Sequence, residues 1–214
     1  MADAQKVITG EVRLSFPHLF VARQGPSGGD PKFSCCLVLP ESYDLGPIQI
    51  AVMAAAQEKW GDKASGMFAA KKLRNPIRRD WEDKGYPENS VFINCSSKHP
   101  PEIVGAYLDP LTGLPEVITD PAKCYPGVYC RASVRAFPYD MNGNKGVAFG
   151  LNNLQILRDG DRFDNRVSAQ NEFSGVERPI AELDNSSPLN EEDEMKALLG
   201  MSGGSGSAAG ASSL

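Results

Sequence analysis

The sequence has few of the features that identify secreted, disulfide-rich or membrane proteins. It holds five cysteines and two histidines in 214 residues, and no two cysteines form a CxxC pair. An odd number of irregularly spaced cysteines argues against a disulfide framework and predicts a cytoplasmic protein with reduced thiols. No apolar run approaches the roughly 18 residues of a membrane-spanning helix. Residues 1–6 are polar and lack the order of a secretory signal.

Signatures of common catalytic sites are also missing from the sequence. It has no GxSxG, HExxH, GxGxxG or Walker-type motif, and the carboxylates of residues 1–171 are scattered. Because catalysis needs a positioned set of residues, no enzymatic activity is predicted. A zinc site remains an alternative interpretation of the four residues Cys95, His99, Cys124 and Cys130. A metal loop is a second alternative for Asp159, Asp161 and Asp164, although a turn is the simpler interpretation.

The cysteines also have a simpler interpretation than metal binding. Cys36 and Cys130 lie in predicted strands, where a free cysteine usually behaves as a small buried hydrophobic residue. The sequence therefore predicts no metal and no cofactor.

The net charge of −5 is unevenly distributed along the chain. Residues 1–171 carry 20 basic and 19 acidic residues, whereas residues 172–214 carry 2 and 8. The acidity therefore belongs to the C-terminal part, and the rest of the chain is nearly neutral with local basic segments.

The C-terminal part has the composition of a flexible tail. Residues 177–214 contain no aromatic residue, and residues 201–214 are rich in Gly, Ser and Ala. An acidic cluster at 190–194 precedes a short helical pattern at 195–199. We therefore predict a domain over residues 1–176 and a disordered acidic tail over 177–214, with one conditional helix.

Residues 7–170 are mostly strand-like. Strands are predicted at residues 7–16, 32–39, 91–96, 103–108, 127–137 and 145–157. In the first, Val12, Leu14 and Phe16 are expected on one face. A helix is predicted over residues 45–60, where Ile48, Val52, Ala55 and Ala56 have helical spacing, and residues 61–90 look irregular and basic. The order predicts a mainly β, OB-fold-like Greek-key barrel with one inserted helix and an irregular basic loop.

The alternation within residues 128–137 suggests a binding surface. Because strand side chains alternate between faces, one face is small and apolar, with Val128, Cys130, Ala132, Val134 and Ala136. The other face carries Tyr129, Arg131, Ser133, Arg135 and Phe137. Rings that stack on bases and arginines that neutralise phosphates are what single-stranded nucleic acid needs. A solvated strand face covered by a loop remains the alternative.

A second basic surface is predicted in the loop that precedes residue 90. Its five cations lie within residues 71–79, which contain no acidic residue, and Pro76 interrupts any long helix. Nearby aromatic residues complete the composition of a nucleic-acid clamp. The residues expected to contact nucleic acid here are Lys71, Lys72, Arg74, Arg78, Arg79, Trp81 and Tyr86.

A hairpin is predicted between the last two strands. The pair Asn142-Gly143 between two strand-like runs is a strong hairpin signal. It places Tyr139 and Lys145 near the tip, where the loops of an OB-fold contribute to the binding groove.

These segments resemble a known family. The run FPYDMNGNKGVAFGLNNLQILRDGDRFD at 137–164 is similar to the closing hairpin of a family of phage single-stranded-DNA-binding proteins. LSFPHLF at 14–20 and KFSCCLVLP at 32–40 are similar to the family's opening strands. The resemblance implies an OB-fold that coats single-stranded DNA without catalysis, in replication or recombination, in the cytoplasm of an infected bacterial host. It favours the aromatic and basic residues of the last two strands: Tyr129, Arg131, Arg135, Phe137 and Tyr139.

Two other functions remain open at this point. A phage structural or assembly protein would use the same aromatic face for protein contacts, and a strand-annealing recombination mediator would share the DNA chemistry. The expected partners are single-stranded DNA, further copies of the chain, and phage or host replication proteins recruited through the acidic tail. The tail is also expected to compete with DNA for the basic groove. No membrane partner is expected.

Overall fold

The computed structural model of the chain describes residues 2–25, 28–80, 82–141 and 143–163. Two α-helices, α1 (Gly46–Trp60) and α2 (Lys63–Ala69), follow the third strand. The strands are β1 (Lys6–Ile8), β2 (Val12–Arg23), β3 (Lys32–Leu39), β4 (Ile77–Arg78), β5 (Val91–Ser97), β6 (Glu102–Leu108), β7 (Pro115–Val117), β8 (Tyr129–Met141) and β9 (Asn144–Arg158).

Five of the strands close into a ring. The order is β2-β3-β5-β9-β8, and β8 pairs again with β2. The β5–β9 pair is parallel and the other pairs of the ring are antiparallel. A closed five-stranded ring with one helical insertion between its second and third strands is an OB-fold-like barrel, so the predicted fold class is confirmed.

The barrel interior follows the predicted alternation. Cys130, Ala132, Val134 and Ala136 of β8 are each at most 1% exposed, and β3 contributes Cys35, Leu37 and Leu39. The predicted helix is α1, which buries Ile48, Val52, Ala55 and Ala56 together with Ala51. All these side chains belong to one core cluster. Because the interior residues of β8 are small, α1 packs closely against that strand.

The first predicted strand is wrong in two respects. Residues 7–16 form parts of two strands, β1 and β2, which are separated at residues 9–11. Phe16 was expected on the same face as Leu14, but Leu14 is buried whereas Phe16 is 57% exposed, and Ser15 is buried as well. Phe16 has φ +46° and the β2–β3 register shifts between Ser15 and His18. This bulge reverses the faces of the strand after Ser15.

Two predicted irregular segments contain short elements. Residues 61–90 hold α2 and the two-residue strand β4, and residues 109–126, where the sequence predicts no strand, hold β7. β4 exists because it pairs with β5, and β7 because it pairs with β6. Strands of two or three residues leave little periodicity in a sequence, so tertiary pairing decides them.

The five cysteines are buried free thiols. The interpretation of Cys36 and Cys130 as buried strand residues is therefore confirmed. Burial raises the pKa of the Cys130 thiol to about 12. Among the described residues, no three His, Cys, Asp or Glu side chains are grouped as a metal site. None of the described helices is long and apolar enough to cross a membrane. The predicted acidic tail lies outside the described residues.

Candidate nucleic-acid interface

The outer side of β8 carries the predicted aromatic and basic residues. Because the alternate residues of the strand are buried in the barrel, these side chains point outward. We call this surface the β8 strip: Tyr129, Arg131, Ser133, Arg135 and Phe137. β1 widens it, since Lys6 pairs with Arg135 and Ile8 with Ser133.

Neutral amides hold both arginines of the β8 strip. Arg131 Nε donates to Gln155 Oε1 at 2.6 Å, and Gln155 Nε2 donates to the Gly105 carbonyl at 2.8 Å. Arg135 Nη2 donates to Gln5 Oε1 at 3.3 Å. Neither arginine forms an ion pair with a carboxylate in the described part of the chain. Their positive charges are therefore positioned but not neutralised.

The hairpin between β8 and β9 is confirmed, and it is tighter than expected. Its ladder continues to the pair Met141–Asn144, so the two strands are separated by only two residues of the chain. Gly143 has φ +80°, a conformation that two-residue turns of this kind require and that glycine adopts without strain. Lys145 lies near the tip, with Nζ 3.2 Å from Asp140 Oδ2.

The hairpin joins the predicted basic loop. Arg74 N donates to the Lys145 carbonyl at 2.8 Å, and Val147 N donates to the Arg74 carbonyl at 3.2 Å. The approach requires glycine at 146, since a Cβ there would lie 2.6 Å from the Arg74 carbonyl oxygen. An open pocket of about 360 Å³ lies between the two segments. The cations around it form one surface, which we call the basic patch: Lys71, Lys72, Arg74 and Lys145.

The other residues predicted in the basic loop lie elsewhere. Arg78 is in β4 and forms an ion pair with Asp80 at 2.7 Å. Arg79 lines a groove between the helices and β4. Tyr86 is only 6% exposed, so its ring is not presented on the surface. Trp81 lies outside the described residues.

A second set of residues on the outer side of the barrel crosses several strands instead of following one. Most of its members are aromatic residues or arginines. Its members are direct cross-strand partners on β9, β8, β2, β3, β5 and β4. We call it the cross-strand row: Arg158, Tyr129, Arg13, Val38, Phe92 and Arg78.

Arginines stack on the rings of the cross-strand row. The guanidinium carbon of Arg158 lies 3.4 Å from the centroid of the Tyr129 ring, and that of Arg13 lies 5.1 Å from it. At the other end, Arg78 lies 5.8 Å from the Phe92 ring. Cation–π contacts of this kind are favourable even at exposed sites, so they contribute to holding the row together.

Two further rings cover the middle of the cross-strand row. The Tyr86 ring lies 5.5 Å from Phe92 and 5.4 Å from Phe163, centroid to centroid. Arg13 stacks on Phe163 at 4.2 Å. The Tyr86 hydroxyl donates to Cys36 Sγ at 3.5 Å, and burial raises the pKa of the Cys36 thiol to about 11.

Carboxylates neutralise both ends of the cross-strand row. Arg158 Nη2 lies 2.6 Å from Glu11 Oε1, and Arg78 pairs with Asp80. The row therefore differs from the β8 strip, because its end arginines are paired with carboxylates and its rings are packed against other side chains. The row could not be recognised in the sequence, since its six residues come from six strands and leave no local pattern.

Both surfaces contain Tyr129, and both lead toward the basic patch. The β8 strip reaches the patch along β8, whose far end is the hairpin. The row ends at Arg78, four residues from Arg74 and therefore within about 14 Å of it along the chain. OB-folds commonly bind oligonucleotides on their second and third barrel strands and at the hairpin of the last two strands. Those strands here are β3 and β5, where the row is covered.

Comparisons with known proteins find phage proteins that are similar to this chain in sequence or in fold. Protein p50 of Acyrthosiphon pisum secondary endosymbiont phage 1 is 31% identical over 165 residues, which cover 74% of this chain and 86% of p50. The structure of the single-stranded DNA-binding protein from bacteriophage Enc34 in complex with ssDNA aligns with a TM-score of 0.60. It is 19% identical, and the alignment covers 75% of this chain and 90% of that protein.

A second structure of the Enc34 protein aligns with a TM-score of 0.56 at 17% identity, covering 80% of this chain and 91% of the other. At these identities the structural matches show a shared fold. The family described as Enterobacter phage Enc34, ssDNA-binding protein, matches residues 5–184. Since that match spans most of the sequence, the chain belongs to the family of the Enterobacter phage Enc34 ssDNA-binding protein.

Proposed function

We propose that this protein binds single-stranded DNA without sequence preference and coats it during phage DNA replication or recombination. It acts as a binding protein without catalysis, in the cytoplasm of the infected host. Membership of the Enc34 family supports the ligand. The acidic residues of 177–214 support a role of the tail in recruiting replication proteins.

One observation carries the proposed binding path. The β8 strip and the basic patch meet at the β8–β9 hairpin, and together they contain five cations without a carboxylate partner in the described residues: Lys71, Lys72, Arg74, Arg131 and Arg135. Phosphate neutralisation supplies most of the affinity in sequence-independent binding, and exposed rings such as Phe137 add base stacking. The proposed path follows β8 and ends in the patch.

The test is a fluorescence-anisotropy titration of labelled oligo-dT at several salt concentrations. The logarithm of the association constant should fall linearly with the logarithm of the salt concentration. Each phosphate contact on single strands contributes about 0.7 to the slope. The triple variant Lys71→Ala/Lys72→Ala/Arg74→Ala should reduce the slope by about 2 and the affinity at 0.1 M salt by roughly 100-fold.

The matched control is Lys59→Ala/Lys63→Ala/Lys123→Ala, which removes the same charge from exposed positions outside the proposed path. It should change the affinity by less than about threefold, through long-range charge alone. Equal losses in both triple variants would reject the basic patch as a specific contact. If oligo-dT does not bind even at low salt, the proposed function is wrong, and protein contacts by the same face become the better hypothesis.

A further inference from the structure

The strands β6 and β7 and the turn between them project from the barrel. We call residues 102–117 the β6–β7 arm. β6 pairs with β9 only through Glu102–Val104, and the rest of the arm pairs with itself. Its large apolar side chains are 64–95% exposed: Tyr107, Leu108, Leu111, Leu114 and Val117. A group of exposed apolar residues on one projection is typical of a protein-binding surface.

The β6–β7 arm is also acidic. Residues 102–117 contain three carboxylates and no basic residue, and one of the three, Glu116, forms an ion pair with Lys123 outside the arm. At the tip, the Asp109 carboxylate accepts hydrogen bonds from the backbone N–H groups of Leu111 at 2.8 Å and Thr112 at 2.9 Å. These bonds define the turn and lower the pKa of Asp109. The arm therefore presents leucines beside a negative charge.

A groove with complementary properties lies at the other end of the barrel. It has a volume of about 350 Å³ and is lined by the apolar side chains of Met53, Phe68 and Ile77, with Gln49 and Arg79 at its polar side. We call it the α1–α2 groove. It adjoins residues 71–79, which hold five basic residues and no acidic one. An apolar, acidic projection and an apolar groove with basic surroundings are complementary in charge and in apolar character.

The arm cannot reach the α1–α2 groove of its own copy. Residues 71–79, which adjoin the groove, meet β9 near the start of that strand, where Arg74 pairs with Gly146. The arm joins β9 near its end, where Val104 pairs with Gln155. These positions are nine residues apart, which is about 30 Å along a strand. Contact between opposite ends of two copies is heterologous and, unless it closes into a ring, continues as an open chain.

We propose that the β6–β7 arm of one copy docks in the α1–α2 groove of the next copy, so that the copies line up head to tail. This arrangement suits a protein whose copies bind side by side along one strand of DNA. The inference goes beyond the proposed function, and only its effect on DNA binding rests on that function.

Cross-linking tests the contact directly in the full-length protein. Two variants are prepared, Leu111→Cys at the tip of the arm and Gln49→Cys at the rim of the groove. Since the native cysteines are all buried, the new thiols are the ones available to a short bismaleimide. The mixed variants should form a covalent dimer, more efficiently on long poly-dT, while each variant alone stays monomeric. Val21→Cys mixed with Gln49→Cys is the control, because Val21 is 70% exposed and lies outside the arm.

The outcomes separate the docking contact from the proposed function. A dimer of Leu111→Cys with itself would mean that arms pair with each other, and would overturn the proposal. A mixed dimer no stronger than the control, on DNA that binds normally, would also overturn it. A mixed dimer in a protein that fails to bind oligo-dT would support the contact and reject the proposed function.

A second variant measures the consequence for DNA binding. Leu111→Ser/Leu114→Ser changes two exposed side chains, so folding should be preserved. It should bind an oligonucleotide of single-copy length as tightly as the unmodified protein. On long poly-dT its affinity should fall about tenfold or more, since buried leucines contribute at least that factor to association. Unchanged affinity on long poly-dT would overturn the proposal.

Discussion

The β8 strip and the cross-strand row contain the same kinds of residue and share Tyr129, but they differ in how those residues are used. In the strip, two arginines are held by the neutral amides of Gln155 and Gln5. In the row, the end arginines are paired with Glu11 and Asp80, and the rings of Tyr86 and Phe163 cover its middle.

Similar residue composition therefore does not make the two surfaces equally available to a ligand. A guanidinium held by an amide keeps its net charge and can release counterions when it meets a phosphate. A guanidinium that already has a carboxylate partner gains less from the phosphate, because that partner must be displaced or remains as a repulsive charge. The strip is therefore suited to bind a polyanion, and the row is suited to hold the barrel surface together.

The largest effect that separates the two surfaces is expected for the strip. Arg131→Ala/Arg135→Ala removes two charges that have no carboxylate partner. The slope of affinity against salt should fall by about 1.4, and affinity at 0.1 M salt by roughly 25-fold. Oligo-dT anisotropy measures both quantities. Tight binding that survives this double variant would remove β8 from the path and leave the patch as the contact.

A matched double variant tests the row. Arg78→Ala/Arg158→Ala also removes two arginines, and both are exposed at the surface. The affinity for oligo-dT should change less than about threefold, since each charge is already neutralised. A larger loss than in the strip variant would reverse the assignment. It would place the DNA on the second and third barrel strands, as in other OB-folds.

The smallest effect on DNA binding is expected for Tyr86→Ala, which opens the middle of the row. Cys36 lies beneath this ring, and its pKa of about 11 should return toward the ordinary range as the thiol becomes exposed. At pH 8, a chromogenic disulfide reagent should then modify one thiol per chain, against none in the unmodified protein.

The conservative variant Tyr86→Phe is the control for this measurement, because it keeps the covering ring. The alanine variant loses about 3 kcal/mol of stability, so the other four thiols must stay protected for the result to report a local opening. Modification of all five thiols would indicate global unfolding. No modification at all would show that other groups cover Cys36.

Several local features of the fold were predictable from the sequence. The alternation of residues 128–137, the hairpin between β8 and β9 and the helical spacing of residues 48–56 each depend on near neighbours in the chain. Their periods of 2 and 3.6 residues follow from backbone geometry. The resemblance at 137–164 predicted the family correctly for the same reason, since it rests on consecutive residues.

The basic patch was only half predictable. Residues 71–74 and Lys145 were each recognised as basic. They lie on one surface only because backbone hydrogen bonds join Arg74 to the hairpin. Tyr86 shows the opposite outcome. Its aromatic character suggested an exposed stacking ring, and the structure buries it against Phe92 and Cys36. Whether a ring is presented or covered depends on which distant segment packs on it.

By itself, therefore, the sequence determined the class of barrel, the residues that face its interior along β8, the hairpin and the uneven distribution of charge between residues 1–171 and 172–214. Tertiary structure alone decided the bulge that exposes Phe16, the assembly of the basic patch, the cross-strand row and the projection of the β6–β7 arm. The physical reason is that local periodicity records which way each side chain points, whereas pairing between distant strands decides what it meets.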